Sequence, residues 1–150
     1  AGSTLTALVT YLTLAAREEL AFRGYPLRRL DSGFGLWPAQ LAVAAVFVLE
    51  HRLGGYPWSD AIFGSGMGAL LFGMAAIATG GLALPIGLHA AWNFGQWLIG
   101  MKGAAGFWRP VVANANAERV HFAETTIYLL LMSAATLAFW IRYRRAKLER

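Results

Sequence analysis

The side chains of catalytic type in this chain lie within apolar stretches, where ionisable groups are unusual. A charge at the centre of a membrane helix costs about 2.5 to 3.5 kcal/mol on some scales, so each such residue needs a function or a partner. Separate apolar stretches carry them, which favours a shared polar site between helices over a purely structural bundle. The residues are Arg17, Glu18, Glu19 and Arg23 in the first stretch, Glu50 and His51 in the second, and His89 and Asn93 in the third.

The first stretch contains two residues whose spacing predicts an ion pair. Glu19 precedes Arg23 by four positions, and an acid placed before a base at this spacing is favourable on a helix. Pairing lowers the cost of keeping both charges in apolar surroundings. Glu18 has no such partner nearby, so its carboxylate is the better candidate for chemistry.

The other two stretches repeat the four-residue spacing, which puts both members of each pair on one helix face. In the second stretch the Phe47 ring can cover the His51 imidazole and exclude water. In the third stretch His89 and Asn93 point the same way. We expect both faces to meet near Glu18.

The composition predicts a membrane protein. Hydrophobic residues make up 57% of the chain and charged residues only 14%, whereas soluble domains carry about 25% charged residues. The chain has no cysteine, which excludes disulfides, thiolate metal sites and a cysteine nucleophile. The net charge of +5 is concentrated in the tail after the last apolar stretch, as in a cytoplasmic membrane flank, and we expect no nucleic-acid binding.

Five helical stretches are expected in an all-α, polytopic transmembrane bundle with the active site between helices. Apolar spans of about 20 residues are the guide, together with caps and the glycine and proline residues that end or bend helices. The first should kink near Gly24 and Pro26, and the third should start at a cap formed by Ser59 and Asp60. Predicted helix A covers residues 4–30, helix B 38–52, helix C 59–79, helix D 82–102 and helix E 122–143, with a glycine-rich turn at 31–37 and a loop at 103–120.

Alternating spans give a consistent topology. Five crossings put the 31–37 turn, beside Arg28 and Arg29, on the same side as the basic tail, and the positive-inside rule assigns that side to the cytoplasm. We expect a multi-pass protein of a prokaryotic plasma membrane. We expect residues 1–150 to form a single domain. We also expect them to be the C-terminal part of a longer chain, which would add the initiator Met and further N-terminal helices.

Helix rise tests whether the polar residues can meet. At about 1.5 Å per residue, Glu18 and His51 lie roughly 18 and 20 Å from the turn that joins their helices. His89 lies only roughly 10 Å from the same face. A tilt, or a kink at Pro85, must therefore bring His89 level with the other two.

The polar residues also carry a family resemblance. Residues 18–23 match an EExxxR motif, residues 47–51 match FxxxH, and residues 89–93 match HxxxN, in this order and on separate apolar helices. The chain resembles the CAAX protease and bacteriocin-processing family (CPBP, also called ABI) of intramembrane proteases, which includes type II CAAX prenyl endopeptidases. Glu50 departs from the pattern, since a small or apolar residue is commoner there, and we expect it to be an extra acid near the site.

The resemblance implies hydrolysis of a peptide bond within the membrane. This reaction needs an activated water, a donor for the oxyanion and a proton for the leaving amine. Glu18 and His51 suit water activation, and His89 and Asn93 suit oxyanion stabilisation. Glu19, Arg23 and Phe47 would support them. The expected partners are the lipid bilayer and a peptide or prenylated protein, with substrates of CAAX, bacteriocin or signalling-peptide type.

Other readings of the same residues remain open at this stage. A zinc-dependent protease would use Glu18, His51 and His89 as ligands, although no cofactor is preferred. An immunity or scaffold protein would bind a peptide without cutting it. A transporter also buries such residues, but the chain lacks the expected repeats. His121 and Glu124 fit a solvated loop end, and the aromatic residues pack or lie at the interface, while Trp92 and Phe94 flank the site and could contact substrate.

Overall fold

The computed structural model describes residues 2–102 and 106–149, and the described chain is helical without a strand. Six α-helices, two π-helical segments and one short 3-10 turn make up this part. The two π-helical segments are Leu20–Gly24 and Asp60–Gly66, and the 3-10 turn is Asn114–Asn116. The α-helices are α1 (Gly2–Glu19), α2 (Pro26–Phe34), α3 (Leu36–Leu53), α4 (Met67–Thr79), α5 (Ala83–Leu98) and α6 (Ala117–Leu148).

Helix α4 is the centre of the bundle, because it contacts α3, α5 and α6. Most of its residues are buried. Helix α1 packs along α5, and α2 packs against α3. The predicted polar residues are carried by the end of α1, the π-helical turn after it, α3 and α5, so the site lies between helices as expected.

The predicted helix A is divided, and the break lies where the kink was expected. Helix α1 ends at Glu19, and the π-helical turn Leu20–Gly24 leads into α2 at Pro26. Proline has no N–H to donate and its ring clashes with the preceding turn. A π-helical turn accommodates this with a wider hydrogen-bonding ring, and such turns are frequent at functional sites.

Several predicted boundaries were wrong, because single glycines end helices more abruptly than expected. The 31–37 turn reduces to Gly35 at φ 85°, with α2 continuing to Phe34. The predicted helix D stops at Leu98, and Gly100 at φ 75° turns the chain before Lys102. A positive φ is readily adopted by glycine, which lacks a Cβ.

The remaining differences concern the start of the third and the last helices. Ser59 does not cap its helix, because its hydroxyl donates to the Asp60 carboxylate at 3.0 Å. Helix α6 begins at Ala117 and so shortens the predicted 103–120 loop, of which residues 103–105 lie outside the described residues. His121 therefore lies within the first turns of α6, not at a loop end.

Within the described residues, two helical stretches are long and apolar enough to cross a membrane, namely Asp60–Thr79 and Asn114–Leu148. The count of about five membrane helices stays a prediction. The segment around Asp31 and Gly35 lines a cavity together with Arg144 and Lys147 of the tail. The first turn and the basic tail therefore lie at the same end of the bundle, which an alternating topology requires.

Close packing of α3 against α4 depends on Gly73. A Cβ at this position would overlap the side chain of Gln40, which is only 1% exposed and would have to shift within the interior. The small-residue spacing in predicted helix C thus does what such spacing does in membranes, which is to let backbones approach closely. This approach brings Phe47 and His51 of α3 towards the residues of α1 and α5.

We expect Gly73→Ala to destabilise the fold by about 1 to 3 kcal/mol, the usual cost of overpacking. Gly87→Ala in α5 is the matched control, because a Cβ there has nothing within 4 Å and alanine gains about 0.5 to 1 kcal/mol over glycine inside a helix. Thermal unfolding in detergent measures both. A Gly73→Ala protein as stable as the control would contradict the packing argument.

Candidate active site

A buried carboxylate, Glu19, joins two other ionisable side chains. Its Oε1 accepts a hydrogen bond from Arg23 Nη1 at 3.3 Å and lies 2.9 Å from His89 Nδ1. Glu19 and Arg23 are 0% exposed and His89 is 6% exposed. Because an ionised carboxylate can only accept, Nδ1 of His89 must carry a proton. The end of α1, the π-helical turn and α5 are therefore held together by one oxygen atom.

Arg23 extends this cluster to α3 and α4. Its Nη2 donates to the backbone oxygen of Ala69 at 3.3 Å. Its guanidinium lies 4.6 Å from the centre of the Phe47 ring, a cation–π contact that gains strength where water is excluded. The arginine thus contacts α1, α3 and α4 directly.

His89 lies between two adjacent carboxylates that differ in exposure. Its Nε2 is 3.7 Å from Glu18 Oε2, on the side opposite the Glu19 contact. The Glu18 side chain is 15% exposed, whereas that of Glu19 is fully buried. Phe72 of α4 stacks on the imidazole at 4.6 Å with an interplanar angle of 15°. The ring of His89 is therefore fixed in plane and orientation.

His51 is also fixed through Nδ1. This nitrogen lies 3.0 Å from the Phe47 backbone oxygen, and a carbonyl can only accept, so Nδ1 carries the proton. The Phe47 ring centre lies 4.3 Å from the imidazole. The His51 side chain is 20% exposed and that of Glu50, 3.9 Å from Nδ1, is 46% exposed. In the neutral imidazole Nε2 is then an unprotonated acceptor that water can reach.

Asn93 lies one turn after His89 and is partly buried. Its Oδ1 accepts a hydrogen bond of 2.6 Å from Lys102 Nζ. With its oxygen engaged, the carboxamide retains its NH₂ group as a donor. Burial lowers the pKa of Lys102, and the nearby Glu18 carboxylate acts in the opposite direction.

Not all of the predicted residues touch. Glu18 pairs directly with Arg17 at 3.2 Å and approaches His89, and it makes no ion pair with His51. The two side chains predicted to hold a water are therefore not joined by a direct ion pair. His121 and Glu124 are exposed on α6, away from the cluster.

The aromatic neighbours of the site have packing partners. Trp92 lies 5.1 Å from the ring of Tyr128 on α6, and Phe94 stacks on Trp97 at 5.6 Å. Tyr128 in turn donates to the Gly64 oxygen at 2.6 Å. These contacts tie α5 and α6 to the segment before α4.

The proposed zinc ligands do not form a metal centre in this arrangement. No group of three or more His, Asp and Glu side chains in residues 2–102 and 106–149 could hold a metal ion. In both histidines the engaged nitrogen is Nδ1, bound to the Phe47 oxygen or to Glu19, and Nε2 is left for another partner. Zinc bound by Glu18, His51 and His89 stays a prediction.

Two residues at the site were missed from the sequence. Phe72 is one apolar residue in an apolar run, and nothing in its spacing marks it as the neighbour of His89. Lys102 was assigned to the end of a helix, although a cation nine residues after Asn93 at the end of an apolar stretch could have drawn attention.

Comparison with protein families decides the family. The sequence model described as Rce1-like, type II CAAX prenyl endopeptidase Rce1-like, matches residues 1–95. This chain belongs to the Rce1-like family. The match confirms the resemblance drawn from the three motifs, all of which lie within it. Searches of curated proteins and of solved structures found no match.

The Rce1-like family is a family of membrane-embedded peptidases, which fits the two apolar helices long enough to span. Lys102 and helix α6 lie beyond the matched residues. The family assignment therefore covers Glu18, His51, His89 and Asn93, and leaves Lys102 to be judged on the geometry of this chain.

Glu19→Gln should reduce the stability of the folded protein by about 3 to 5 kcal/mol, because removing one partner leaves Arg23 charged and buried. Glu50→Gln makes the same chemical change at a side chain that is 46% exposed and should unfold near the wild-type temperature. Thermal unfolding of both in detergent gives the comparison. Equal melting temperatures would rule out an energetic role for the buried pair.

Proposed function

We propose that this chain is an intramembrane endopeptidase that hydrolyses a peptide bond of a membrane-associated or lipidated substrate, with a prenylated CAAX-type tail as the first candidate. Membership of the Rce1-like family supports the activity class. The observation that carries the proposal is the pair of adjacent carboxylates on either side of His89, one buried and ion-paired and the other partly open. In a site of this kind the buried carboxylate stabilises the fold, while the partly open carboxylate takes part in the reaction.

Glu18 and His51 are the water-activating residues in this proposal. The proton at Nδ1 of His51 leaves Nε2 with a lone pair, which can accept a hydrogen from water. Glu18 is partly exposed, and the arginine that pairs with it, Arg17, is exposed. In this proposal the shared water lies between the two side chains, which no direct ion pair joins.

His89 and Asn93 are the oxyanion donors. The Asn93 carboxamide keeps its NH₂ group free of Lys102, which binds the oxygen. His89 holds one proton at Nδ1 against Glu19. A second proton at Nε2 makes an imidazolium between two carboxylates, which can donate to developing negative charge.

The reaction then balances with these groups alone. Glu18 and His51 together take one proton from water. The resulting hydroxide adds to the carbonyl carbon of the substrate, and the electrons of the C=O double bond move to the oxygen. Asn93 and His89 stabilise this oxyanion. The tetrahedral intermediate collapses with cleavage of the C–N bond. The proton held by Glu18 and His51 passes to the leaving amine.

Glu18→Gln should abolish cleavage, a loss of about 10² to 10⁴ in rate for a general base, without lowering the melting temperature. Glu124→Gln, exposed on α6, is the control with normal activity. Purified protein in detergent or liposomes is incubated with prenylated and unprenylated CAAX peptides, and new amino termini are counted. Turnover by Glu18→Gln near that of the control would reject Glu18 as the base. Peptide binding without cleavage by the wild type would favour the scaffold function.

Asn93→Ala should lower kcat by about 10² to 10³ with KM little changed, as expected for loss of one oxyanion donor. The metal-dependent alternative predicts a different pattern, in which a strong chelator abolishes activity and zinc restores it. Metal content by mass spectrometry on the active protein accompanies the rates. One zinc per active chain, with loss and recovery of activity, would overturn the metal-free assignment.

A further inference from the structure

The loop after α5 brings a cation back to the site. On a continuous helix Lys102 would lie about 13.5 Å along the axis from Asn93, since the two are nine residues apart. Instead α5 ends at Leu98, and Gly100 at φ 75° reverses the chain. The Lys102 ammonium then reaches Asn93 Oδ1 at 2.6 Å.

This turn is closed by backbone hydrogen bonds. The amides of Gly100 and Met101 donate to the oxygens of Trp97 and Gln96 at 3.0 and 2.9 Å. The returning chain binds the helix end as well, because the Phe107 amide donates to the Leu98 oxygen at 3.0 Å. A Cβ at Gly100 would collide with the backbone oxygen of Trp108. The position of Lys102 is therefore set by the backbone.

The surroundings of Lys102 add a second constraint. Its Nζ lies 5.6 Å from the centre of the Tyr11 ring on α1, and its charge interacts favourably with Glu18. The side chain thus crosses from the loop to α1 over the partly open face of the site. An asparagine amide that is not held can turn over, since its two ends are nearly the same size and shape. An ammonium can only donate, so it binds the oxygen end alone.

We propose that Lys102 is a positioning residue of the peptidase site, which holds the Asn93 carboxamide with its oxygen outward and its NH₂ group towards the oxyanion. The proposal rests on the proposed function and goes beyond the three motifs, because Lys102 lies outside the residues matched to the family. Lys102 touches no reacting atom. It acts through Asn93, whose oxygen it binds.

The test compares three variants of the full chain in the peptide-cleavage assay. Lys102→Met keeps the length of the side chain and removes the donor, and it should lower kcat by about 10-fold to 10²-fold, as misplacement of a reacting group does, with KM within about twofold. Lys102→Arg restores a charged donor and should recover most of the rate. Lys147→Met makes the identical change in the exposed tail and should behave as wild type.

A double-mutant cycle separates positioning from a general structural effect. If Lys102 acts through Asn93, Lys102→Met should cost less than about twofold in an Asn93→Ala background, since interacting residues are not additive. Full additivity of the two losses would overturn the proposal, as would a kcat for Lys102→Met equal to that of Lys147→Met. Melting temperatures in detergent accompany each rate. If Lys102→Met does not fold, Lys102→Arg and Lys102→Gln are compared instead, and equal rates for these two would reject a need for the charged donor.

The outcomes also distinguish this proposal from the function on which it rests. A wild-type chain that cleaves, with Glu18→Gln inactive and Lys102→Met normal, overturns the role of Lys102 alone. A wild-type chain that cleaves no membrane-associated or lipidated peptide overturns the proposed function and with it any role of Lys102 in that reaction.

Discussion

The Glu19 carboxylate is the group on which the rest of the site depends. A lone charge in an apolar interior costs several kcal/mol even after relaxation, and Glu19, Arg23 and His89 are all buried. The fold can keep them only if Arg23 and His89 converge on the same carboxylate, which they do at 3.3 and 2.9 Å. Because these residues come from the end of α1, the π-helical turn and α5, their pairing fixes the relative position of these elements.

The π-helical turn follows from the same requirement. Arg23 must pair with Glu19 and also reach the Ala69 oxygen on α4, while Pro26 prevents the regular helix from continuing unbroken. The wider turn Leu20–Gly24 meets both demands. Phe47 then packs under the guanidinium and beside His51. The Phe47 ring therefore contacts both the buried Arg23 and the partly exposed His51, so the position of Arg23 limits where His51 can lie.

Interactions between neighbours on one helix could be predicted from the sequence. Those that depend on how the helices pack and on where the chain reverses could not. The spacing of Glu19 and Arg23 predicts their contact, and the three motifs indicate the family. Helix rise alone placed His89 at a different depth from Glu18. The approach of His89 to both glutamates could therefore be predicted only by assuming a tilt. The Phe72 contact and the return of Lys102 depend on which helices are neighbours and on a single positive φ at Gly100, and neither leaves a periodic trace in the sequence.

Adjacent carboxylates with different partners explain how one short segment can serve both stability and chemistry. Consecutive residues on a helix point about 100° apart, as 3.6 residues per turn require. Glu19 therefore faces the bundle, where its Oε1 accepts from Arg23, while Glu18 faces the partly open side at 15% exposure. A single buried glutamate could not do both, because a carboxylate neutralised by Arg23 is a poor base. The duplication of the acid, with His89 between the two, keeps the structural charge fixed while the other one is free to exchange a proton.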